Sequence, residues 1–371
     1  MPYTISIPPF GDLSLEQTRA CRHNGNVRLK GGPGTGKSLV SLWRALNSAS
    51  GERVLILTYT LSLEFYFRQM LKSAQEFGST KSISIQRSQK TFYNKTWMLQ
   101  GFYDEIVLDE AQDMEPTHIK TFLEKTNRIT FGADFRQQLY PKKGIQENTL
   151  LSLIPDAAEF QMQKNYRSTQ QILKAVRVFL PEQAIDPQVI AQSSIGAAVE
   201  LQVAQYNLES SKAFEILQSI LPKTNGNIGV LAPNVDAVME LYTALKNLLP
   251  QDTTYYTSST GLDNLSHMGR LHICTYKSSK GLEWDTIILP YFGNRQNLIQ
   301  GDGPVGLNDH YVAMTRAKNL LILISTKYED LNLLNASNNQ THTRFNNPNI
   351  QINQEVISTP YAPIVDDDLP F

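Results

Sequence analysis

The stretch GGPGTGKS, residues Gly31–Ser38, decides the fold class of this 371-residue chain. It fits the pattern G-x-x-x-x-G-K-[ST] and lies between an apolar run, Val27–Leu29, and a helical pattern, Ser38–Asn47. Glycines let the N–H groups of such a loop turn inward around phosphates, while the lysine reaches the β- and γ-phosphates and the hydroxyl holds Mg²⁺. The loop predicts a nucleotide site built from Gly34, Gly36, Lys37 and Ser38. By itself, the loop would fit a small-molecule kinase equally well.

Outward from this loop, apolar β-rich runs alternate with helical stretches. In the first half, the strand patterns Arg53–Tyr59 and Glu105–Leu108 flank the helical pattern Leu61–Phe77. A second series of the same kind begins near residue 160 and ends with the strand pattern Leu320–Ser325. This alternation predicts parallel sheets covered by helices. We expect one α/β lobe over residues 1–155, a second over 156–330, and a disordered tail over 331–371.

The segment IVLDEAQD, Ile106–Asp113, narrows the chemistry. Its apolar strand delivers Asp109 and Glu110 to the carboxyl end of the sheet, beside the phosphate loop. Asp109 is then placed to hold Mg²⁺ through water, and Glu110 to act as base on the attacking water. Without the phosphate loop, a buried strand ending in a solvated acidic turn would be the better interpretation.

Further motifs, in order along the chain, resemble those of superfamily 1 helicases of the UvrD/Rep/PcrA group. The resemblance spans about residues 13–325, and it rests on LSLEQ (13–17), LTYT (57–60), GADFRQQLY (132–140), NYRS (165–168), CTYKSSKGLEWD (274–285) and YVAMTRAK (311–318). The resemblance implies that Gln17 reads adenine, Gln137 senses the γ-phosphate and Tyr166 stacks on adenine. It also implies that Arg167 touches phosphate, Glu283 lies near the ribose and Arg316 is an arginine finger. The implied nucleic-acid contacts are Tyr59, Tyr140, Lys142 and Lys277. Half-buried packing is the alternative interpretation for the two tyrosines, and a solvated surface charge is the alternative for Lys142.

Taken together, these motifs imply two RecA-like P-loop NTPase lobes with ATP and Mg²⁺ between them. A departing γ-phosphate carries spread-out negative charge that positioned cations must meet, and these cations come from both lobes. The expected activity is nucleic-acid-stimulated ATP hydrolysis that drives translocation on single-stranded DNA, 3′→5′ if the chain follows the family. DNA is favoured over RNA by resemblance only.

The chain also departs from that family. Its relatives carry two large inserted subdomains, where this chain has only Lys72–Tyr103 and Gln251–Arg270. Lys142 and Lys277 stand where the family has Trp and His, and Leu39 stands where an Arg often follows the phosphate loop. These departures leave two alternatives open: a translocase that needs a partner to unwind duplex, and an ATP-gated docking module.

Composition limits the remaining choices. The net charge of −1 neither favours nor excludes nucleic acid, so any binding groove must be local. The two cysteines, Cys21 and Cys274, exclude a disulfide framework and fit a reducing cytoplasm, and the N-terminus lacks the pattern of a signal peptide. No apolar run is long enough for a membrane helix.

The end of the chain carries a separate motif. The acidic tip Asp366–Phe371 resembles that of bacterial single-stranded DNA-binding protein, with Asp residues followed by an aliphatic residue, Pro and a terminal Phe. It suggests a peptide that docks on the proteins which bind that tip. An ordinary solubilising acidic tail is the simpler alternative.

Overall fold

The computed structural model describes residues 3, 5–79, 83–93, 101–181, 183, 185–257, 260, 265, 267–293, 306–326 and 350–353. They form two parallel sheets, each flanked by helices, which confirms the predicted fold class of two RecA-like lobes.

The first lobe contains a six-stranded parallel sheet of order β3-β2-β4-β5-β1-β6. Its strands are β1 Val27–Lys30, β2 Val54–Thr58, β3 Ser84–Arg87, β4 Tyr103–Leu108, β5 Thr126–Ala133 and β6 Ala158–Gln161. Its helices are α1 Leu15–Arg22, α2 Lys37–Leu46, α3 Leu61–Glu76, α4 Ser88–Tyr93, α5 Pro116–Leu123 and α6 Glu147–Leu153. Every residue of the inner strand β2 is buried, as expected of a parallel sheet covered on both faces.

The second lobe contains a seven-stranded parallel sheet of order β13-β7-β12-β11-β8-β10-β9 among the described residues. Its strands are β7 Val199–Val203, β8 Ile228–Ala232, β9 Thr253–Tyr256, β10 Leu271–Thr275, β11 Trp284–Leu289, β12 Ala317–Ser325 and β13 Ile350–Asn353. Its helices are α7 Gln170–Phe179, α8 Pro187–Ala191, α9 Glu209–Ile220, α10 Val235–Leu245 and α11 Leu307–Met314.

Two strands lie near or beyond the predicted domain boundaries. Strand β6 pairs in parallel with β1, so the first sheet extends to Gln161, beyond the predicted boundary at residue 155. Within the predicted tail, Ile350–Asn353 pair in parallel with β7. An unpaired sheet edge offers free N–H and C=O groups, and this pairing satisfies those of β7. The tip Asp366–Phe371 lies outside the described residues and stays a prediction.

Local sequence explains how the helices that carry the site begin. Ser14 and Gln17 form a capping box at the start of α1, in which each side chain bonds to the other's backbone N–H. Thr60 caps α3 by accepting a hydrogen bond from the N–H of Leu63. No helix within the described ranges is both long enough and apolar enough to span a lipid bilayer.

Candidate nucleotide site and nucleic-acid surface

The phosphate loop joins the carboxyl end of β1 to the first residue of α2. Gly34 (φ 69°) and Gly36 (φ 89°) adopt left-handed conformations that favour glycine. A Cβ on Gly34 would lie 2.6 Å from Cβ of Arg167, and one on Gly36 would lie 2.6 Å from Nε2 of Gln17. Both glycines are therefore required by the turn and by close neighbours, one of which belongs to the NYRS segment.

Lys37 begins α2 with its ammonium folded back onto this loop. Its Nζ donates to the carbonyl oxygens of Gly31 (2.8 Å) and Gly32 (2.9 Å). Burial lowers the pKa of Lys37, and the nearby carboxylates of Asp134 and Glu110 oppose that shift. The side chain thus lies within the loop that the sequence predicts to surround phosphate.

Ser38 and Asp109 form the predicted metal pair. The Ser38 hydroxyl donates to the two carboxylate oxygens of Asp109 at 3.1 and 3.0 Å. Both supply hard oxygen ligands, and Mg²⁺ needs only one or two of these beside waters and substrate phosphates. No cluster of three or more His, Cys, Asp or Glu that could hold a metal occurs among the residues described. The pair therefore fits Mg²⁺ shared with a triphosphate.

Glu110 follows Asp109 in a left-handed conformation (φ 57°), which turns its side chain out of the strand direction. Gln112 Nε2 donates to Glu110 Oε2 at 2.5 Å, and Lys280 Nζ lies 3.2 Å from the same oxygen. Burial alone would raise the pKa of Glu110, but Lys280 and Lys37 outweigh it and lower the pKa. Burial and the adjacent Glu110 raise the pKa of Asp109.

Lys280 is a site residue that sequence reasoning missed, although it lies inside the SKGLE motif. Its side chain is fully buried, and Nζ donates to Asp113 Oδ2 and to the carbonyl of Gln137, the latter at 2.9 Å. Ser62 Oγ, at the start of α3, donates to the Lys280 carbonyl at 2.7 Å. A lysine of the second lobe is therefore enclosed by the first lobe beside the predicted base.

The two predicted arginines reach the site from the second lobe. Arg316 Nη2 donates to Oε1 of Gln137 at 3.0 Å, so the predicted finger touches the predicted γ-phosphate sensor. Burial, and next the charge of Arg167, lower the pKa of Arg316 to about 9. Arg167 Nε donates to Oε2 of Glu283 at 2.8 Å.

Glu283 is held on both carboxylate oxygens. Oε2 accepts from Arg167, and Oε1 lies 2.9 Å from Nζ of Lys318, a second cation that the sequence analysis missed. Burial would raise the pKa of Glu283, but Arg167 and Lys318 bring it down to about 2. Glu283 therefore binds two cations beside the phosphate loop. The sequence analysis predicted only that Glu283 lies near the ribose.

A cavity of about 310 Å³ joins these groups. It is lined by the predicted residues Gly34, Gly36, Lys37, Ser38, Glu110, Gln137, Tyr166, Arg167, Glu283 and Arg316. Tyr166 is 52% exposed, so its ring is available for stacking. Gln17 is buried and donates to the Thr35 carbonyl at 3.3 Å, at the edge of an adjoining cavity that Tyr166 also lines.

Three of the four predicted nucleic-acid contacts lie together at the carboxyl end of the first sheet. The rings of Tyr59 and Tyr140 have centroids 4.9 Å apart, and Lys277 Nζ lies 5.8 Å from the Tyr140 centroid. Tyr59 is only 8% exposed, so much of its surface serves packing, and Tyr140 is half-buried. Lys142 lies on an exposed turn just beyond Tyr140.

No protein-family model matches this sequence, and neither does any curated protein. Solved structures do match, among them the helicase of PRRSV, which is 15% identical to this chain with a TM-score of 0.41. The alignment covers 84% of this chain and 54% of the PRRSV chain, so this chain spans about half the length of that helicase. We assign the two lobes from the sheet topology of this chain and not from that likeness.

Proposed function

We propose that this protein is a nucleic-acid-stimulated ATPase that moves along single-stranded DNA, 3′→5′, as a minimal helicase core. The observation that carries the proposal is the 3.0 Å hydrogen bond between Arg316 and Gln137, which joins the second lobe to the first. A site whose cations come from two lobes is complete only when those lobes are together. Each cycle of ATP binding and release would then open and close the cleft.

Each polar group has a place in this chemistry. The N–H groups of the phosphate loop and the Lys37 ammonium would bind the phosphates, and Glu110 would accept a proton from the attacking water. Mg²⁺, held by Ser38 and Asp109, would offset charge on the phosphate oxygens. Arg316 and Arg167 would meet the negative charge that develops on the transferred group.

Movement along a strand requires that the nucleotide site and the strand surface communicate. Lys277 and Lys280 are separated by one short turn, the 3₁₀ helix Lys277–Ser279. Lys277 faces the Tyr140 ring, and Lys280 contacts Glu110. A shift of this turn on strand binding would therefore change the surroundings of the base.

A partner-dependent translocase is the second candidate. Where relatives of the UvrD/Rep/PcrA group carry their inserted subdomains, the described residues supply the short helix α4 and the strands β3 and β9, each an edge strand of its sheet. These strands complete the lobes and provide no separate domain to split a duplex. The same proposal includes docking of the tip Asp366–Phe371 on a protein that binds the tip of single-stranded DNA-binding protein.

The decisive experiment measures ATP turnover by the purified protein with and without single-stranded DNA and RNA of equal length. Strong stimulation by DNA is expected. ATP binding without turnover, under every strand condition, would refute the motor and favour the docking module. Displacement of a protein block from the 5′ end but not the 3′ end of a strand would support the proposed direction, and the opposite result would contradict it.

A further inference from the structure

The N-terminal segment crosses the nucleotide cleft from one lobe to the other. We call the described residues Tyr3 and Ile5–Pro9 the N-terminal strap. The strap adopts no helix or strand, and three of its residues, Ser6, Ile7 and Pro8, line the same cavity as the phosphate loop. None of the motifs discussed above includes it.

One end of the strap is bound to the first lobe. Trp43 Nε1, on α2, donates to the Pro8 carbonyl at 3.2 Å. The N–H of Ile7 donates to Ser73 Oγ, on α3, at 3.3 Å, and this contact is buried. Ile7 is itself only 5% exposed, so the anchor combines hydrogen bonds with apolar packing.

The other end is bound to the second lobe. The N–H of Tyr3 donates to the Met268 carbonyl at 3.0 Å. The Tyr3 hydroxyl donates to the Glu283 carbonyl at 2.8 Å and accepts from the Glu283 N–H at 3.1 Å. The Tyr3 ring lies between Phe65 of the first lobe and Trp284 of the second, with centroids 6.5 and 6.2 Å away.

From these contacts we infer that the N-terminal strap limits how far the lobes separate, and that Tyr3 is a positioning residue for Glu283. The inference rests on the proposed function, because it assigns the strap to the nucleoside triphosphate cleft. The stretch from Tyr3 to Pro8 has a reach of at most about 18 Å when fully extended. While both anchors hold, the second lobe cannot move beyond that reach.

Positioning by Tyr3 acts through the backbone of Glu283. Its hydroxyl satisfies both the N–H and the C=O of that residue, while the Glu283 carboxylate binds Arg167 and Lys318. Loss of the hydroxyl would leave two partly buried backbone groups without this partner and release the segment that aims both cations. The strap therefore supports nucleotide binding through both cations and turnover through Arg167, which predicts an effect on affinity and on kcat.

The first test compares Tyr3→Phe, which removes only the hydroxyl, with Tyr242→Phe, which removes a tyrosine hydroxyl from α10 outside the cavity. Binding of a fluorescent ATP analogue and the KM and kcat for ATP are measured. Tyr3→Phe should weaken binding by about three- to tenfold, the factor for a hydrogen bond, and should also lower kcat because Arg167 is less well aimed. The control should match the wild type. Unchanged affinity in Tyr3→Phe would overturn the positioning role.

The second test measures lobe spacing directly. Cys21 and Cys274 are the only cysteines and both are buried, so donor and acceptor dyes are placed on Lys120→Cys and Asp236→Cys, two exposed positions in different lobes. Tyr3→Ala should shift the nucleotide-free distance distribution to longer values. An unchanged distance distribution would contradict the inference that the N-terminal strap limits the separation of the lobes. Neither the binding nor the spacing measurement requires hydrolysis, so a protein without ATPase activity would contradict the proposed function and leave this test intact.

Discussion

Lys280 Nζ lies 3.2 Å from Oε2 of Glu110, and the lysine is fully buried between the lobes. Its other partners are the carboxylate of Asp113 and the carbonyl of Gln137. Burial would lower the pKa of Lys280, but Asp113 and Glu110 raise it, so the side chain stays charged. One second-lobe cation thus holds together two first-lobe carboxylates, including the predicted base.

We expect Lys280→Met to lower the free energy of unfolding by about 3–5 kcal/mol, because the substitution leaves two buried carboxylates without their cation. Lys318→Met is the matched control. Its side chain is 36% exposed and its partner Glu283 keeps Arg167, so its loss should cost less than about 1 kcal/mol. Urea unfolding of both variants tests this, and equal losses would show that the Lys280 cluster is no stronger than a surface pair.

Lys37→Ala and Glu110→Gln should both abolish ATP turnover, but by different routes. Lys37 lies among the carbonyls of the phosphate loop, so its removal should weaken nucleotide binding. Glu110→Gln preserves shape and removes only the base, so ATP should stay bound. Equilibrium binding and single-turnover hydrolysis separate the two effects. Normal hydrolysis by Glu110→Gln would eliminate Glu110 as the base.

Arg316→Ala should lower kcat by about 10³-fold with little change in ATP affinity, as expected of a cation that acts on the transition state. The comparison is with Arg177→Ala, which removes an exposed arginine from α7. Steady-state kinetics on single-stranded DNA provides the measurement. A raised KM at unchanged kcat would make Arg316 a binding residue instead.

The parts of this fold that were predictable carry either strong periodicity or a motif. The strand β2 and the helix α3 were anticipated, because β2 is a short continuous apolar run and the apolar residues of α3 recur at helical spacing. Strand β6 was not, since its side chains are half-buried or exposed and its place is decided only by pairing with β1.

The residues of the candidate site also divide into those predictable from a motif and those placed only by contacts in the fold. Residues that lie in a short sequence motif, such as Lys37 and Glu110, could be proposed from the sequence directly. Lys318 was missed although it contacts Glu283 within the same lobe. The roles of Lys280 and Tyr3 depend on contacts between residues more than a hundred positions apart, Lys280 with Asp113 and Tyr3 with Glu283. No local pattern reports contacts of that kind, because they form only after both lobes have folded and packed.

His272 should make the protein less stable in mild acid. It is fully buried against Trp284, and burial lowers its pKa to about 3. Between pH 6.5 and 3 the unfolded chain therefore binds a proton at this position that the folded chain does not, so stability falls as the pH falls. Between pH 7.5 and pH 5.5, His272 should therefore lower the free energy of unfolding by about 1.4 kcal/mol.

The measurement is urea unfolding of the wild type and of His272→Gln at both pH values. The variant lacks the titrating ring. Its free energy of unfolding should therefore fall by about 1.4 kcal/mol less than that of the wild type between pH 7.5 and pH 5.5. Other groups contribute equally to both proteins and cancel in the difference. Parallel pH dependences would mean that His272 does not resist protonation in the folded state.

Single-stranded DNA should bind where Lys277 faces Tyr140, and the two residues should contribute in different ways. A lysine contributes through phosphate charge, so Lys277→Ala should reduce the slope of log K against log salt by about one. An aromatic ring contributes by stacking, worth about 1–3 kcal/mol per base, so Tyr140→Ala should weaken binding at every salt concentration and leave the slope unchanged. Tyr59 is too buried to stack fully, and Tyr59→Phe should have little effect.

Fluorescence anisotropy with a labelled oligonucleotide at several salt concentrations measures both the charge contribution and the stacking contribution to binding. Lys246→Ala is the control, because it removes an exposed lysine at the end of α10. If Lys246→Ala changes the slope as much as Lys277→Ala does, any surface lysine contributes equally to binding, and Lys277 does not mark the DNA site. If Tyr140→Ala binds like the wild type, the Tyr59–Tyr140 pair serves packing alone, and the strand must lie elsewhere on the lobes.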